Sequence, residues 1–220
     1  MNVVNEKKKW DAYRPAPHRT RMRLFYHLAY FLVGVELSFH RIKIEGRENV
    51  PQSGCLIVAN HVSFMDPTTV AWAVGGEIFY LARKSLFKPP FWSWFLPICN
   101  VLPIDQEGRD SSGLRRIIKM LREGHTVMLF PEGTRSPDGQ PQRAEPGAGL
   151  VAIKAGVPIL PVRVFGTYES LSRHTGRLRF HPIRVVIGQP YLPTIGEGPR
   201  EKDSYDRVAQ EMMERVAALH

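Results

Sequence analysis

Apolar and polar positions change period several times along this chain, and each change marks a predicted element. Leu24 to Phe39 is a nearly continuous apolar run interrupted by His27 and Glu36, and it predicts a first helix. Arg41-Ile-Lys-Ile-Glu45 alternates with period two like a half-buried strand, whereas Cys55-Leu-Ile-Val-Ala59 is a short apolar run like a fully buried one. Residues 78–82 and 101–104 read as further strands. Asp110 can cap a helix running to Glu123, with Gly124 as its stop and Leu114, Ile117, Ile118 and Leu121 on one face. His125 to Phe130 is another strand, Gly147 to Ala155 a helix, and Val157-Pro-Ile-Leu-Pro-Val162 resumes extended structure between prolines. Residues 182–188 complete the sheet and 202–219 form a polar helix. Strands alternating with helices predict an α/β fold with a mostly parallel or mixed sheet flanked by helices. With no internal repeat and no linker demanding a second domain, the expected organisation is one domain over 40–220 preceded by a membrane-associating segment over 1–39.

Length and composition narrow the class. A chain of 220 residues that is 43% hydrophobic can bury one sizeable core, which excludes a disordered or disulfide-stapled protein. Cys55 and Cys99 lie in apolar contexts and suit free buried thiols in a reducing compartment, not catalysis. The net charge of +9 is densest at the start, where Lys7, Lys8, Lys9, Arg14, Arg19, Arg21 and Arg23 face only Glu6 and Asp11. Such a cluster favours phosphate-bearing partners, nucleic acid or anionic lipid alike. The apolar run that follows decides for lipid. It falls short of the roughly 20 residues that span a bilayer, so a helix lying in the interface, with basic residues on lipid phosphates, fits better than a span. The run starts late and no small-residue cleavage site follows, which argues against a signal peptide. The expectation is a monotopic protein on the cytoplasmic face of the cell membrane, with no nucleic-acid partner.

Two segments carry chemistry. Ala59-Asn-His-Val-Ser-Phe-Met-Asp66 follows a strand, so it belongs at the carboxyl edge of the sheet, where α/β folds bind ligands. A turn there brings His61 and Asp66 together: imidazole takes a proton near neutral pH, and a carboxylate on its other nitrogen fixes the tautomer and stabilises the cation. The plainer reading of Asp66, before Pro67, is a helix cap. Ser63 lacks the Gly-x-Ser-x-Gly surroundings of a serine nucleophile. The second segment, Phe130-Pro-Glu-Gly-Thr-Arg-Ser136, also follows a strand. In it Arg135 can clasp a phosphate, Thr134 and the backbone around Gly133 can add donors, and Glu132 can accept from a hydroxyl or hold the arginine. Its plainer reading is a surface turn with a local ion pair.

Together and in this order, the two segments resemble the motifs of the glycerolipid acyltransferase family that includes lysophosphatidate acyltransferases. The resemblance runs from about residue 40 to 190 and matches both blocks residue for residue. It implies that His61 and Asp66 are the catalytic pair and that Glu132, Gly133, Thr134 and Arg135 bind the acceptor's glycerol phosphate. The implied reaction moves a fatty acyl group from an acyl-coenzyme A or acyl carrier protein thioester to the free hydroxyl of lysophosphatidate, a membrane lysolipid, in phospholipid synthesis. No bound cofactor, metal or acyl-enzyme is needed. Val157 to Val162 looks like the family's apolar fourth motif. Ala82-Arg-Lys-Ser-Leu-Phe87 looks like its basic stretch, which makes Lys84 a candidate for phosphate or oxyanion stabilisation. One departure stands out: Gln106 follows Asp105 where family members usually carry arginine, and Arg109 is the candidate substitute. The crowd of Phe87, Phe91, Trp92, Trp94 and Phe95 could line an acyl tunnel, dip into the membrane interface or pack a core. Rival readings are the same chemistry on a lyso-aminolipid or another lysolipid, and a non-catalytic membrane-binding protein.

Overall fold

The computed structural model describes residues 24–104, 112–172, 176–193 and 201–220. Its centre is explained by one strand. Leu56–Ala59 (β2) is apolar at all four positions and wholly buried, as a strand covered on both faces should be. Around it run Lys43–Glu45 (β1), Ile78–Arg83 (β3), Val101–Ile104 (β4), Thr126–Leu129 (β5), Ile159–Phe165 (β6) and Arg184–Ile187 (β7). The sheet order is β1-β7-β6-β2-β5-β3-β4. All neighbours are parallel except β6 and β7, so the expected mixed, mostly parallel sheet is what the chain forms.

Alternate side chains of β2 point to opposite faces. Leu56 and Val58 pack beneath Ser112–Arg122, Pro146–Ala155 and Glu201–Ala217, in a core that includes Ile117, Val151 and Met212. Ile57 and Ala59 pack with Val70 and Val74 of Asp66–Val74 and with Leu37 of Leu24–Phe39. We call these helices α1 (24–39), α2 (66–74), α4 (112–122), α5 (146–155) and α7 (201–217), with α3 (Pro90–Ile98) and the single turn α6 (Thr167–Ser170) between them. Contact between α5 and α7 requires glycine: a Cβ on Gly149 would lie 1.9 Å from the Tyr205 carbonyl oxygen.

Helix α1 spans the residues expected of it. One side packs on α2, where the Tyr30 hydroxyl donates to the Trp72 carbonyl at 2.8 Å and the two rings stack. Leu28, Phe31, Leu32, Val35 and Phe39 remain exposed. Among the described residues no helix is long and apolar enough to cross a membrane. The basic cluster before α1, Arg109 and Gln106 lie outside the described residues.

Candidate active site

Three neighbouring parallel strands, β2, β5 and β3, end on the same edge of the sheet and hand the chain to the segments that carry chemistry. Beyond β2, the Asn60 side chain continues the ladder that the backbone leaves: its amide donates to the Val164 carbonyl at 3.0 Å and its oxygen accepts the Val164 N–H at 2.8 Å. With Asn60 anchored on β6, the turn 61–65 folds back so that Asp66, opening α2 before Pro67, meets His61.

Asp66 is fully buried. Its Oδ2 accepts the Val62 N–H at 2.6 Å, the Ser63 N–H at 2.7 Å and lies 2.9 Å from His61 Nδ1. Its Oδ1 accepts the Thr167 hydroxyl at 2.7 Å, from a residue 101 positions away. Both carboxylate oxygens thus act as hydrogen-bond acceptors. With Asp66 accepting, the proton between the two side chains belongs on His61 Nδ1, and Nε2 keeps its lone pair. The imidazole lies on the Phe130 ring, centroids 4.0 Å apart and planes 17° from parallel. Its side chain is 18% exposed, and no described residue engages Nε2. Of the two roles read from the sequence, pairing is the one the structure shows: the N-cap is Met65, with no side-chain cap bond, and the Asp66 carboxylate instead closes the turn at Val62 and Ser63 that leads into the helix.

Ser63 sits within this turn but is wholly buried, its hydroxyl donating to the Leu171 carbonyl at 2.7 Å and accepting the Met65 N–H. That geometry offers no nucleophile.

The second block is tied to the first through backbone. Glu132, 3% exposed, accepts the His61 N–H on Oε1 at 2.8 Å and the Gln142 N–H on Oε2 at 3.0 Å. In return the Ser136 N–H donates to the His61 carbonyl at 2.7 Å. Burial pushes the Glu132 carboxyl up to about 7; the two N–H donors oppose this, and the Asp66 and Asp138 charges add to it. Both oxygens of Glu132 therefore hold main chain, and what they fix is the position of His61. Gly133, at φ 65°, turns the chain in a left-handed conformation. Thr134 is exposed, and the Arg135 guanidinium lies 3.5 Å above the centroid of the exposed Phe64 ring. Phe64 belongs to the first block, so this contact sets the cation beside the turn that carries His61. Lys84 opens the 3-10 turn Lys84–Phe87 directly after β3. Arg83 reaches back with a long bond, 3.5 Å, to the Gly133 carbonyl.

The structure thus brings His61, Asp66, Glu132, Gly133, Thr134 and Arg135 together, with Lys84 on the same sheet edge. Sequence reasoning missed Thr167, Asn60 and Phe64. Only Asn60 carried a local signal, as the neighbour of His61. Thr167 acts across the fold. A polar cleft of about 260 Å³, lined by residues that include Asn60, Val62, Asp138, Arg163 and Tyr168, opens on the β6 side; the His61 ring does not line it.

Residues 41–165 match the family model described as Acyltransferase, and that stretch contains both blocks. The chain belongs to the acyltransferase family. It is 31% identical over 186 residues to the chloroplastic 1-acyl-sn-glycerol-3-phosphate acyltransferase LPAT1 of Arabidopsis thaliana, covering 82% of this chain and 50% of that one. A Brassica napus counterpart, BAT2, is 30% identical over the same coverage of this chain and 52% of its own. The 1-acyl-sn-glycerol-3-phosphate acyltransferase of Pseudomonas aeruginosa is 31% identical across 73% of this chain and 62% of its own. The chain spans about half the length of the plant relatives. Among solved structures, the 1-acyl-sn-glycerophosphate acyltransferase PlsC of Thermotoga maritima superposes with a TM-score of 0.64 at 26% identity, over 91% of this chain and 86% of that one.

Proposed function

We propose that this protein transfers a fatty acyl group from an acyl thioester to the free hydroxyl of lysophosphatidate, making phosphatidate for phospholipid synthesis. The observation that carries the reading is the His61–Asp66 pair: a buried, fourfold hydrogen-bonded carboxylate on Nδ1, with Nε2 open at a sheet edge that also carries Arg135 and Lys84. The activity named for the plant and bacterial relatives supports it.

In this mechanism Nε2 of His61 takes the acceptor's hydroxyl proton as that oxygen attacks the thioester carbonyl, and Asp66 stabilises the imidazolium. The carbon–oxygen bond forms, the carbon–sulfur bond breaks, and the departing thiolate takes the proton back from Nε2. Coenzyme A and acyl carrier protein both supply such a thioester, and neither a bound cofactor nor a metal is invoked. Arg135 and Lys84 hold the acceptor phosphate, with Arg109 as a further candidate, while Glu132 fixes the backbone of the base. The enzyme works as a monotopic protein on the cytoplasmic face of an anionic membrane. Leu28, Phe31 with Leu32, Val35 and Phe39 follow one another by three or four residues along the uncovered side of α1, a spacing that suits shallow insertion.

A second reading keeps the chemistry and changes the acceptor to a lysolipid without that phosphate; Gln106, neutral where the family usually has arginine, favours it. Purified protein incubated with a panel of lysolipids and both thioester types, with products identified by mass, separates the two. Phosphatidate formed from lysophosphatidate and lost in a folded His61→Ala variant is the expected result. Acylation only of a different lysolipid would overturn the assignment of acceptor.

A further inference from the structure

From Ile78 to Ile104 the chain contains no acidic residue, only Arg83, Lys84 and Lys88 as charges. Within this stretch the 3-10 turn Lys84–Phe87 leads through Pro89 into α3, and their large side chains face outward: Leu86 is 50% exposed, Phe91 58%, Trp92 44% and Trp94 62%. The aromatic rings pack on one another. Phe91 touches Trp92, Trp94 and Phe95, with centroids 5.2, 6.5 and 5.5 Å away. Among the described residues, none from Lys84 to Ile98 contributes to either buried core. A soluble surface rarely leaves such a contiguous apolar patch uncovered.

We infer that residues 84–98 form a wedge that enters the interface of an anionic bilayer beside the active-site mouth, separately from α1. Three observations converge on that occupant. Tryptophan and phenylalanine flanked by lysine and arginine match the layering of an interface, rings at headgroup depth and cations on lipid phosphates. No carboxylate in the segment repels an anionic surface, and each basic residue near it adds attraction. The wedge also begins where β3 ends, on the edge that carries His61 and Arg135, with Arg83 bonded to the Gly133 loop. An acceptor whose acyl chain stays in the bilayer would then meet Nε2 without leaving it. That consequence rests on the proposed lysolipid chemistry; the membrane contact itself does not.

The test uses the full chain carrying Trp10→Phe, so that emission comes from Trp72, Trp92 and Trp94, mixed with vesicles of equal parts phosphatidylcholine and phosphatidylglycerol. Vesicles should shift the emission to the blue, and lipids brominated on their acyl chains should quench it. Adding Trp92→Phe and Trp94→Phe should abolish the quenching while leaving sedimentation with vesicles intact. Trp92→Ser with Trp94→Ser should weaken vesicle binding about tenfold or more, since apolar area is lost from the bilayer. Emission unmoved by vesicles with which the protein still sediments would overturn the wedge, as would a failure to bind vesicles at all. Acyl carrier protein, itself acidic, is added in a lipid-free arm; a shift there and none with vesicles would reassign the patch to a protein partner. Because these readouts need no turnover, they stand apart from the product analysis that tests acyl transfer. Should the serine pair fail to fold by circular dichroism, quenching of the native tryptophans still decides.

Discussion

Replacing Asp66 by asparagine separates what this carboxylate does for the fold from what it does for the chemistry. The side chain stays the same size, and its oxygen can still accept the Val62 and Ser63 N–H groups that now lie 2.6 and 2.7 Å from Oδ2. Those two bonds fall from charge-assisted, about 1.5–3 kcal/mol, to neutral, about 0.5–1.5 kcal/mol. The new NH₂ group meets the Thr167 hydroxyl, which can turn from donor to acceptor. Removing a buried charge offsets part of the loss, leaving a destabilisation of about 2 kcal/mol, or roughly 4–8 °C in Tm for a chain of this size. Catalysis suffers more. A neutral amide cannot stabilise the imidazolium on Nδ1, so turnover should fall about 100- to 10,000-fold. His61→Ala should show a similar kinetic loss but keep all the backbone bonds to Asp66. Since both act as one unit, the double variant should be no slower than His61→Ala alone. Turnover is followed by release of the thiol from the donor, stability by thermal unfolding watched with circular dichroism. A folded Asp66→Asn enzyme with near-normal turnover would refute the base-and-orienter reasoning, and so would losses that multiply in the double variant.

Thr167→Val leaves Oδ1 of Asp66 buried without its donor, which concentrates charge on the oxygen facing His61. The acid limb of the kcat/KM profile should move to higher pH, and Thr167→Ser should restore it; an unmoved profile would reduce Thr167 to packing. Glu132 gives a stability signature. Its carboxyl is pushed up to about 7 against about 4.5 in an unfolded chain, so the fold favours the neutral form. That contribution is fully present below about pH 4.5 and is lost as pH rises through about 7, a fall of about 3 kcal/mol. Urea denaturation from pH 4 to 8 should show this slope in the wild type and its absence in Glu132→Gln, whose baseline is lower because an NH₂ group meets a backbone N–H; parallel slopes would contradict the assignment. Arg135→Ala should raise KM for a phosphate-bearing acceptor more than for the acyl donor, and equal effects on both would remove the arginine from the acceptor site.

Much of this was legible in the sequence because its signals are local. The period-two and continuous apolar runs found the strands, and α1 lies where its apolar run predicts. The meeting of His61 with Asp66 was legible because a turn of five residues can close only a few ways once a strand precedes it and Pro67 fixes the start of a helix. Thr167 was not, because its bond to Asp66 joins α6 to α2 over 101 positions of sequence, and a threonine after a strand looks like any other. Phe64 was obscured in the same manner: its partner Arg135 lies in the other block, and only the parallel pairing of β2 with β5 brings them together. The segment 84–98 yielded its composition but not its exposure, since a run of aromatics reads the same whether it packs a core or faces outward.

Glu132 shows why the two blocks form one site. A carboxylate reserved for substrate would face the opening, yet this one is buried, with its oxygens on the N–H groups of His61 and Gln142. The His61 carbonyl meanwhile accepts from Ser136, so His61 is held by the second block through both its N–H and its carbonyl. A displacement of the 132–136 loop must therefore move His61, and a shift of about 1 Å can cost a large factor in rate. The 132–136 loop and His61 are mechanically one body. A phosphate that seats on Arg135 braces the same loop that sets Nε2, so an acceptor lacking it should lose kcat as well as affinity. If instead such an acceptor turned over with unchanged kcat and only a raised KM, the bonds through Glu132 and Ser136 would be structural alone, and the two blocks would be neighbours without being coupled.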